Sequence, residues 1–256
     1  MNLDFINQFE KAIDLMVPGQ SIDCVVFGYG GGHLKVLGLK WRMQNRWSLP
    51  GGFIFLHEDI DDAALRILNE RTGLTQVFLS QFHTFGSVNR RENDSLIEDF
   101  KDLGFKDYPK VTQWFSQRFI TTGYIALVDI KSCKLVPDFL SEGCEWLNVN
   151  DLPKMTYDHA NIVSKAQNTL RVQLNYLPLG KELLPTQFTM GELQELYESI
   201  LGYSLDRGNF QKKMLRLEIL DRHEKRMNGK AHKAPYQYSI NEDNYENAVK
   251  NGIGFL

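Results

Sequence analysis

Between Gly52 and Leu74 a glycine turn is followed by Glu58 and then by ionisable residues whose spacing would gather them on one helix: Arg66, Glu70 and Arg71, with Gly73 just beyond. Positions 67, 70 and 71 stand at i, i+3 and i+4, which in a helix share one face. Several carboxylates at that spacing would suit a hard divalent cation, which takes oxygen ligands and neutralises phosphate charge. Here the three positions hold Ile67, Glu70 and Arg71. One acid beside a guanidinium that never loses its proton is a poor dication site, because the two cations repel at close range. The expectation is therefore recognition without chemistry: no catalytic residue, no metal ligand and no cofactor. Magnesium would enter only if other acids, such as Glu92 or Asp94, joined Glu58 and Glu70.

The elements that must position this segment are legible around it. Phe5, Ile6, Phe9, Ile13, Leu15 and Met16 recur at mostly helical spacing and stop at Pro18-Gly19, so residues 1–18 read as an N-terminal helix. Two apolar runs, Ile22–Phe27 and Leu34–Leu39, flank Gly30-Gly31-Gly32 and read as a hairpin. A helix is expected over roughly Asp61 to Thr72, with Ala63, Ala64, Ile67 and Leu68 also fitting a core stripe. Strands are expected at Gln76–Gly86, Phe119–Ile130 and Cys144–Val149, and a helix at Asp158–Leu174 with Asp158 as its N-cap. The stretch Ser87–Gln117 is longer than a usual connection; it should contain a short helix near Ser95–Leu103, and it reads equally as a lid or as a surface elaboration. Residues 176–186, with Pro178, Gly180 and Pro185, break the pattern and read as a linker.

A second unit follows at 187–240. Thr189 begins an amphipathic helix with Leu193, Leu196, Tyr197 and Ile200 on one face; Glu192 completes a capping box and Gly202 ends the helix. After a short turn Asp206 opens a second helix, and a basic hairpin comes next, which together make a winged helix-turn-helix. Between Leu205 and Pro235 nine bases stand against four acids, a local excess of positive charge in a chain whose net charge is −3. Such a concentration is the footprint of phosphate-backbone contact. Residues 241–256 read as a tail whose Ile253, Phe255 and Leu256 either dock or fray.

Composition narrows the class. Hydrophobic content of 43% and charged content of 24% are those of an ordinary soluble protein. Cys24, Cys133 and Cys144 are scattered, odd in number and without zinc spacing, so they read as reduced thiols of a cytoplasmic protein. No signal peptide and no membrane span is expected.

The run Gly52, Glu58, Arg66, Leu68, Glu70, Gly73 and Leu74 resembles a Nudix box, from which the chain departs at Ile67 and Arg71, where the active form has acids. Phe188–Gly202 and Leu205–Lys213 extend the resemblance to the Nudix-related transcriptional regulators. It implies an α+β chain: a Nudix-type α/β/α sandwich with a mixed sheet at 19–175, then the C-terminal winged helix-turn-helix. It implies a repressor that binds a double-stranded DNA operator as a homodimer. The effector domain would be catalytically inactive and, by its decayed box, closest to the branch sensing arabinose or xylose. The alternatives are an ADP-ribose-sensing regulator of NAD metabolism and an active magnesium-dependent hydrolase of a nucleoside diphosphate derivative. By the same comparison the second helix of the winged unit meets DNA through Arg207, Asn209, Gln211, Lys212, Lys213 and Arg216, with Phe210, Met214 and Leu215 packed inward. The wing would contribute Lys230, Lys233 and Tyr236. Effector candidates are Trp47 for stacking, Glu58 and Glu70 for hydroxyls, and Arg71, Arg90 and Arg118 for phosphates or hydroxyls. Each has a plain structural reading beside it: Trp47 as core, the glutamates as partners of arginine, Arg90 as solvated surface. His159 beside Asp158 reads as a packing or surface residue, since adjacent helical side chains point apart.

Overall fold

The computed structural model describes residues 3–42, 45–75, 77–90, 107–178, 180–226 and 234–254. The chain divides into two compact units, one of residues 1–26, 36–126 and 133–164, the other of 27–35, 127–132 and 165–256.

The first unit is built on most of a sheet that has seven strands among the described residues. These are β1 (Gln20–Gly30), β2 (His33–Trp41), β3 (Trp47–Ser48), β4 (Gly51–Gly52), β5 (Phe78–Phe85), β6 (Ile120–Val128) and β7 (Ser141–Asn148). The order is β3-β2-β1-β6-β5, with β4 paired to β1 and β7 to β2. Central β1 is buried without a break from Ile22 to Gly28, as expected of a strand covered on both faces. Gly31 and Gly32 join β1 to β2 with φ of 63° and 79°, the left-handed conformations a two-residue hairpin needs. Strand β4 pairs antiparallel to β1 with Gly51 opposite Asp23 and Gly52 opposite Ile22. A Cβ at Gly51 would lie 2.8 Å from the Ile22 carbonyl and from Asp23 Oδ1, so this close approach requires glycine.

Helix α1 (Leu3–Ala12) runs into a 3-10 turn, α2 (Ile60–Thr72) carries the ionisable segment, and α3 (Pro109–Ser116) follows the long connection. Gly73, at φ 74°, closes α2 by donating its N–H to the Asn69 carbonyl. Val111, Trp114 and Phe115 of α3 join Ile6, Phe9, Ile13, Met16 and Trp41 in one buried cluster. The described end of the 87–117 connection is thus core-forming, while the helix expected at 95–103 lies outside the described residues.

Helix α4 (His159–Gln173) starts in the first unit and ends in the second. Asp158, just before it, accepts from Arg90 through its carboxylate. The segment 176–186 is not an open tether: a 3-10 turn at Lys181–Leu183 buries Leu183 and Leu184.

The second unit holds α5 (Met190–Leu201), α6 (Arg207–Arg216) and a three-stranded sheet in the order β8-β10-β9. Its strands are β8 (Phe188–Thr189), β9 (Leu220–Lys225) and β10 (Tyr236–Ile240). Thr189 and Glu192 form the expected capping box, with the Glu192 carboxylate accepting from the Thr189 N–H at 2.7 Å. The expectation of a plain tail at 241–256 is corrected, because Glu242–Lys250 form a helix, α7, with Tyr245 and Ala248 buried. Its start is local in origin: the Asn241 side chain accepts from the Asn244 N–H, and Glu242 and Asp243 lie in the first turn where helix-dipole electrostatics favour acids. Ile253 is 49% exposed while Gly254 is buried against the backbone of Asn175 and Tyr176, and Phe255 and Leu256 lie outside the described residues. Among the described residues no helix is long and apolar enough to cross a membrane.

Candidate functional site: an arginine-lined aromatic pocket and a basic helix

The first unit contains a cavity of about 610 Å³. Its apolar wall comes from elements far apart in sequence: Phe9 on α1, Trp41 on β2, Phe53 after β4, Phe115 and Phe119 at α3 and beyond, and Phe139 and Tyr157 from later turns. These rings brace one another. Phe9 and Phe115 stack at 5.3 Å with planes 13° apart, and Phe53 meets Trp114 edge-on at 5.3 Å. Trp41 is fixed by its indole N–H, which donates to Ser48 Oγ at 2.8 Å.

The lining is also charged, with Arg66, Glu70 and Arg71 from α2, and Asp23, Arg90, Arg118 and His159. Arg66 is the fastener of α2 to the preceding turn. It donates to both oxygens of Glu58, at 2.6 and 3.0 Å, to the Phe53 carbonyl at 2.8 Å and to Glu70 at 3.3 Å. Burial acts to raise the Glu58 pKa, but the Arg66 hydrogen bond, the Phe55 backbone N–H and the Arg66 charge outweigh it, so the carboxyl titrates below its ordinary range. Glu58 is consumed in this clasp.

A second cluster sits on β1. Arg90 grips Asp158 with Nε and Nη2 at 2.8 to 3.1 Å, donates to the Phe119 carbonyl and lies 3.6 Å from Asp23. His159 accepts the Leu49 N–H on Nδ1 at 2.9 Å, which leaves Nε2 facing Asp23 at 3.7 Å. Arg90 is therefore buried structure, not solvated surface, its side chain being 8% exposed. Removing its charge leaves two acids facing each other away from water. Arg90→Met is expected to cost about 3 kcal/mol in denaturant unfolding. A loss below about 1 kcal/mol would show that the acids do not depend on it.

Of the effector candidates, the pocket gathers Glu70, Arg71, Arg90 and Arg118, while Trp47 is not in its lining. Trp47 is a core residue, 8% exposed, its ring against Gly38, and its backbone pairs with β2 and with Thr156. Glu58 stands behind Arg66 and does not line the cavity. Sequence reasoning misses the aromatic wall and the Asp23 cluster. The available signal is the density of Phe and Trp at 9, 53, 114, 115, 119 and 139, but nothing local joins those positions.

The magnesium that a Nudix box implies does not fit these residues. Ile67 is 1% exposed and plugs the face beneath Gly52, where an added Cβ would lie 2.9 Å from its Cδ1. Glu70 is paired to Arg66 and Arg71. Among the described residues no three His, Cys, Asp or Glu stand close enough to hold a metal ion. Glu92 and Asp94 lie outside the described residues.

The second unit carries the other candidate surface. Asp206 caps α6 by accepting the Asn209 N–H at 2.9 Å, and Glu198 fixes the turn by accepting the Leu205 N–H at 2.8 Å. Phe210 and Met214 are each 1% exposed and form the inner face. Arg207, Asn209, Gln211, Lys212 and Arg216 are exposed, whereas Lys213 is half-buried and already engaged. Leu215 corrects the expectation that it packs inward: it is 44% exposed, because a helix 10 residues long that buries 210 and 214 turns 215 outward. In the wing, Tyr236 lies beneath the guanidinium of Arg222 at 4.8 Å and the ammonium of Lys225 at 5.2 Å, two bases that spacing alone does not single out. Lys230 and Lys233 fall outside the described residues.

The sheet with its glycine-led helix and the winged pair of helices define a Nudix fold followed by a winged helix. Residues 18–166 match the NUDIX domain and residues 180–240 match the NrtR DNA-binding winged helix domain, so the chain belongs to the Nudix family and carries an NrtR-type winged helix. It is similar to the ADPR responsive transcriptional repressor NtrR of Acinetobacter baylyi, 27% identical over 224 residues, covering 85% of this chain and 80% of that one. The fold is that of NrtR of Shewanella oneidensis crystallised with a 27mer DNA, at TM-score 0.67 and 22% identity, covering 89% of this chain and 95% of that one. A MutT/nudix family protein from Enterococcus faecalis shares it at TM-score 0.63 and 19% identity, covering 94% of each chain.

Proposed function

We propose that this protein is a cytoplasmic transcriptional repressor that binds an operator duplex through α6 and the wing as a homodimer. Its Nudix pocket binds ADP-ribose as effector without hydrolysing it. The observation that carries the effector reading is the cavity of about 610 Å³ lined by both aromatic rings and arginines. A space of that size, offering rings for stacking and guanidinium charge for phosphate, is of the order that encloses a nucleotide-sized ligand. A free pentose would leave much of that space unfilled and brings no anion for Arg71, so arabinose or xylose sensing has less support than ADP-ribose. The Acinetobacter relative, described as ADPR responsive, supports the same choice. Ile67 and Arg71, at the two positions where the active box has acids, support a binding role over a hydrolytic one.

The test begins with selection of bound duplexes from a random library by the full-length protein, followed by anisotropy on the recovered site. ADP-ribose is expected to release the duplex, while ribose, arabinose and xylose leave it bound. Release by a free pentose alone would sink the effector assignment. Prolonged incubation of ADP-ribose with protein and magnesium is expected to yield no AMP; stoichiometry-exceeding AMP, lost in Glu70→Gln, would overturn the non-hydrolytic reading.

A further inference from the structure

Four arginines line the pocket, and three of them are held by the protein itself. Arg66 is spent on Glu58, Glu70 and the Phe53 carbonyl, Arg90 on Asp158, Asp23 and the Phe119 carbonyl, and Arg118 donates to the Gly86 carbonyl. Arg71 differs. Its guanidinium has a single ion-pair partner among the described residues, Glu70 at 3.7 Å, a separation too long for a hydrogen bond. Its Nε–H is fully buried with no acceptor, although the side chain as a whole is only 16% exposed. A buried donor without an acceptor is costly, and a buried guanidinium without a hydrogen-bonded anion more so.

Position 71 is also the place on α2 where an acid of the Nudix box would stand, one turn from Ile67 and next to Glu70. The metal does not fit, and a fixed cation stands there instead. We infer that Arg71 replaces the magnesium of the enzyme fold as a built-in cation that binds the diphosphate of the effector directly, making ligand binding metal-independent. Its planar fork matches two oxygens of a phosphate, and the residue lines the cavity with no hydrogen-bonded carboxylate among the described residues competing for it. Ile67 complements the exchange, because an apolar side chain at the first position removes the second carboxylate that would repel the same diphosphate. The substitution pair thus converts a face for a metal bridging two sets of anions into a face for the anion alone.

This inference rests on the effector reading above, and the probes are chosen so that each can fail separately. Calorimetric titrations of the full-length protein with inorganic pyrophosphate and with ADP-ribose, each in EDTA and in magnesium chloride, are run on wild type, Arg71→Gln and Arg71→Lys. Operator binding serves as the check that each variant is folded. Wild type is expected to bind both probes in EDTA, with Kd within about twofold of that in magnesium. Arg71→Gln should weaken both at least about tenfold, as expected when a charge-assisted, bidentate interaction is removed, and Arg71→Lys should fall between. Binding that requires magnesium, binding by Arg71→Gln equal to wild type, or no binding of either probe would overturn the inference. If pyrophosphate binds in EDTA through Arg71 and ADP-ribose does not, the inference stands and the effector reading falls. If ADP-ribose binds wild type and Arg71→Gln alike, the effector reading stands and the inference falls.

Discussion

Phe210→Ala is expected to remove about 3–5 kcal/mol from the winged-helix unit and with it nearly all DNA binding at physiological temperature. The ring is 1% exposed and meets Tyr197 edge-on at 5.4 Å, joining α6 to the face of α5 that buries Leu193, Leu196 and Ile200. A helix of 10 residues is marginal alone and holds its place through this packing. The loss exceeds transfer of the benzyl group from water, since the neighbours of a ring buried between α5 and α6 cannot all collapse into the hole. ADP-ribose binding is expected to persist, because the pocket draws its lining from the first unit. Chemical denaturation read by ligand-independent fluorescence, with parallel calorimetry of ADP-ribose, checks both halves. Retained operator affinity, or a variant that loses ligand and DNA binding together, would contradict the assignment of Phe210 to a separate DNA-binding core.

Why the winged unit is so legible in the sequence, and the pocket so much less so, follows from the range of the interactions involved. Thr189, Glu192 and Gly202 act within one or two turns of their own positions, and Asp206 caps a helix three residues away. Such signals survive in the sequence because the partners are neighbours along the chain. The box helix is legible for the same reason, with Gly73 as its left-handed stop. The pocket is a different kind of object. Phe9 and Phe115 stack although more than a hundred positions separate them, and Arg90 reaches Asp158 across the fold. No spacing rule encodes those pairings; they arise when the sheet order brings β1, β4 and the later turns together. Trp47 misleads for a related reason. An aromatic beside a glycine turn looks like a stacking surface, and only the approach of Gly38, which leaves room for its ring, makes it core. The C-terminal helix has a local signal, Asn241 followed by two acids, hidden by a composition poor in large apolar residues.

The charge of the winged unit leads to the other large effect, because only some of its bases are free to meet phosphate. Lys212 and Arg207 are exposed on α6, whereas Lys213 next to Lys212 is half-buried and engaged within the protein. Sequence proximity cannot separate these lysines, but a helical rotation of about 100° per residue does, given that Phe210 and Met214 fix which face is inward. The double substitution Arg207→Ala, Lys212→Ala is expected to weaken operator binding by about 10²-fold at low salt. It should also reduce the slope of log K against log salt by about 2, one unit for each phosphate that is no longer neutralised. Lys213→Ala should change that slope by much less than one unit. The slope decides more than the affinity does: any damage to α6 weakens binding, while only a smaller set of neutralised phosphates lowers the number of counterions released. Anisotropy titrations on the selected duplex across a range of salt concentrations measure both. Equal slopes for wild type and the double variant would remove Arg207 and Lys212 from the interface and turn attention to Arg222 and Lys225, which flank Tyr236 in the wing.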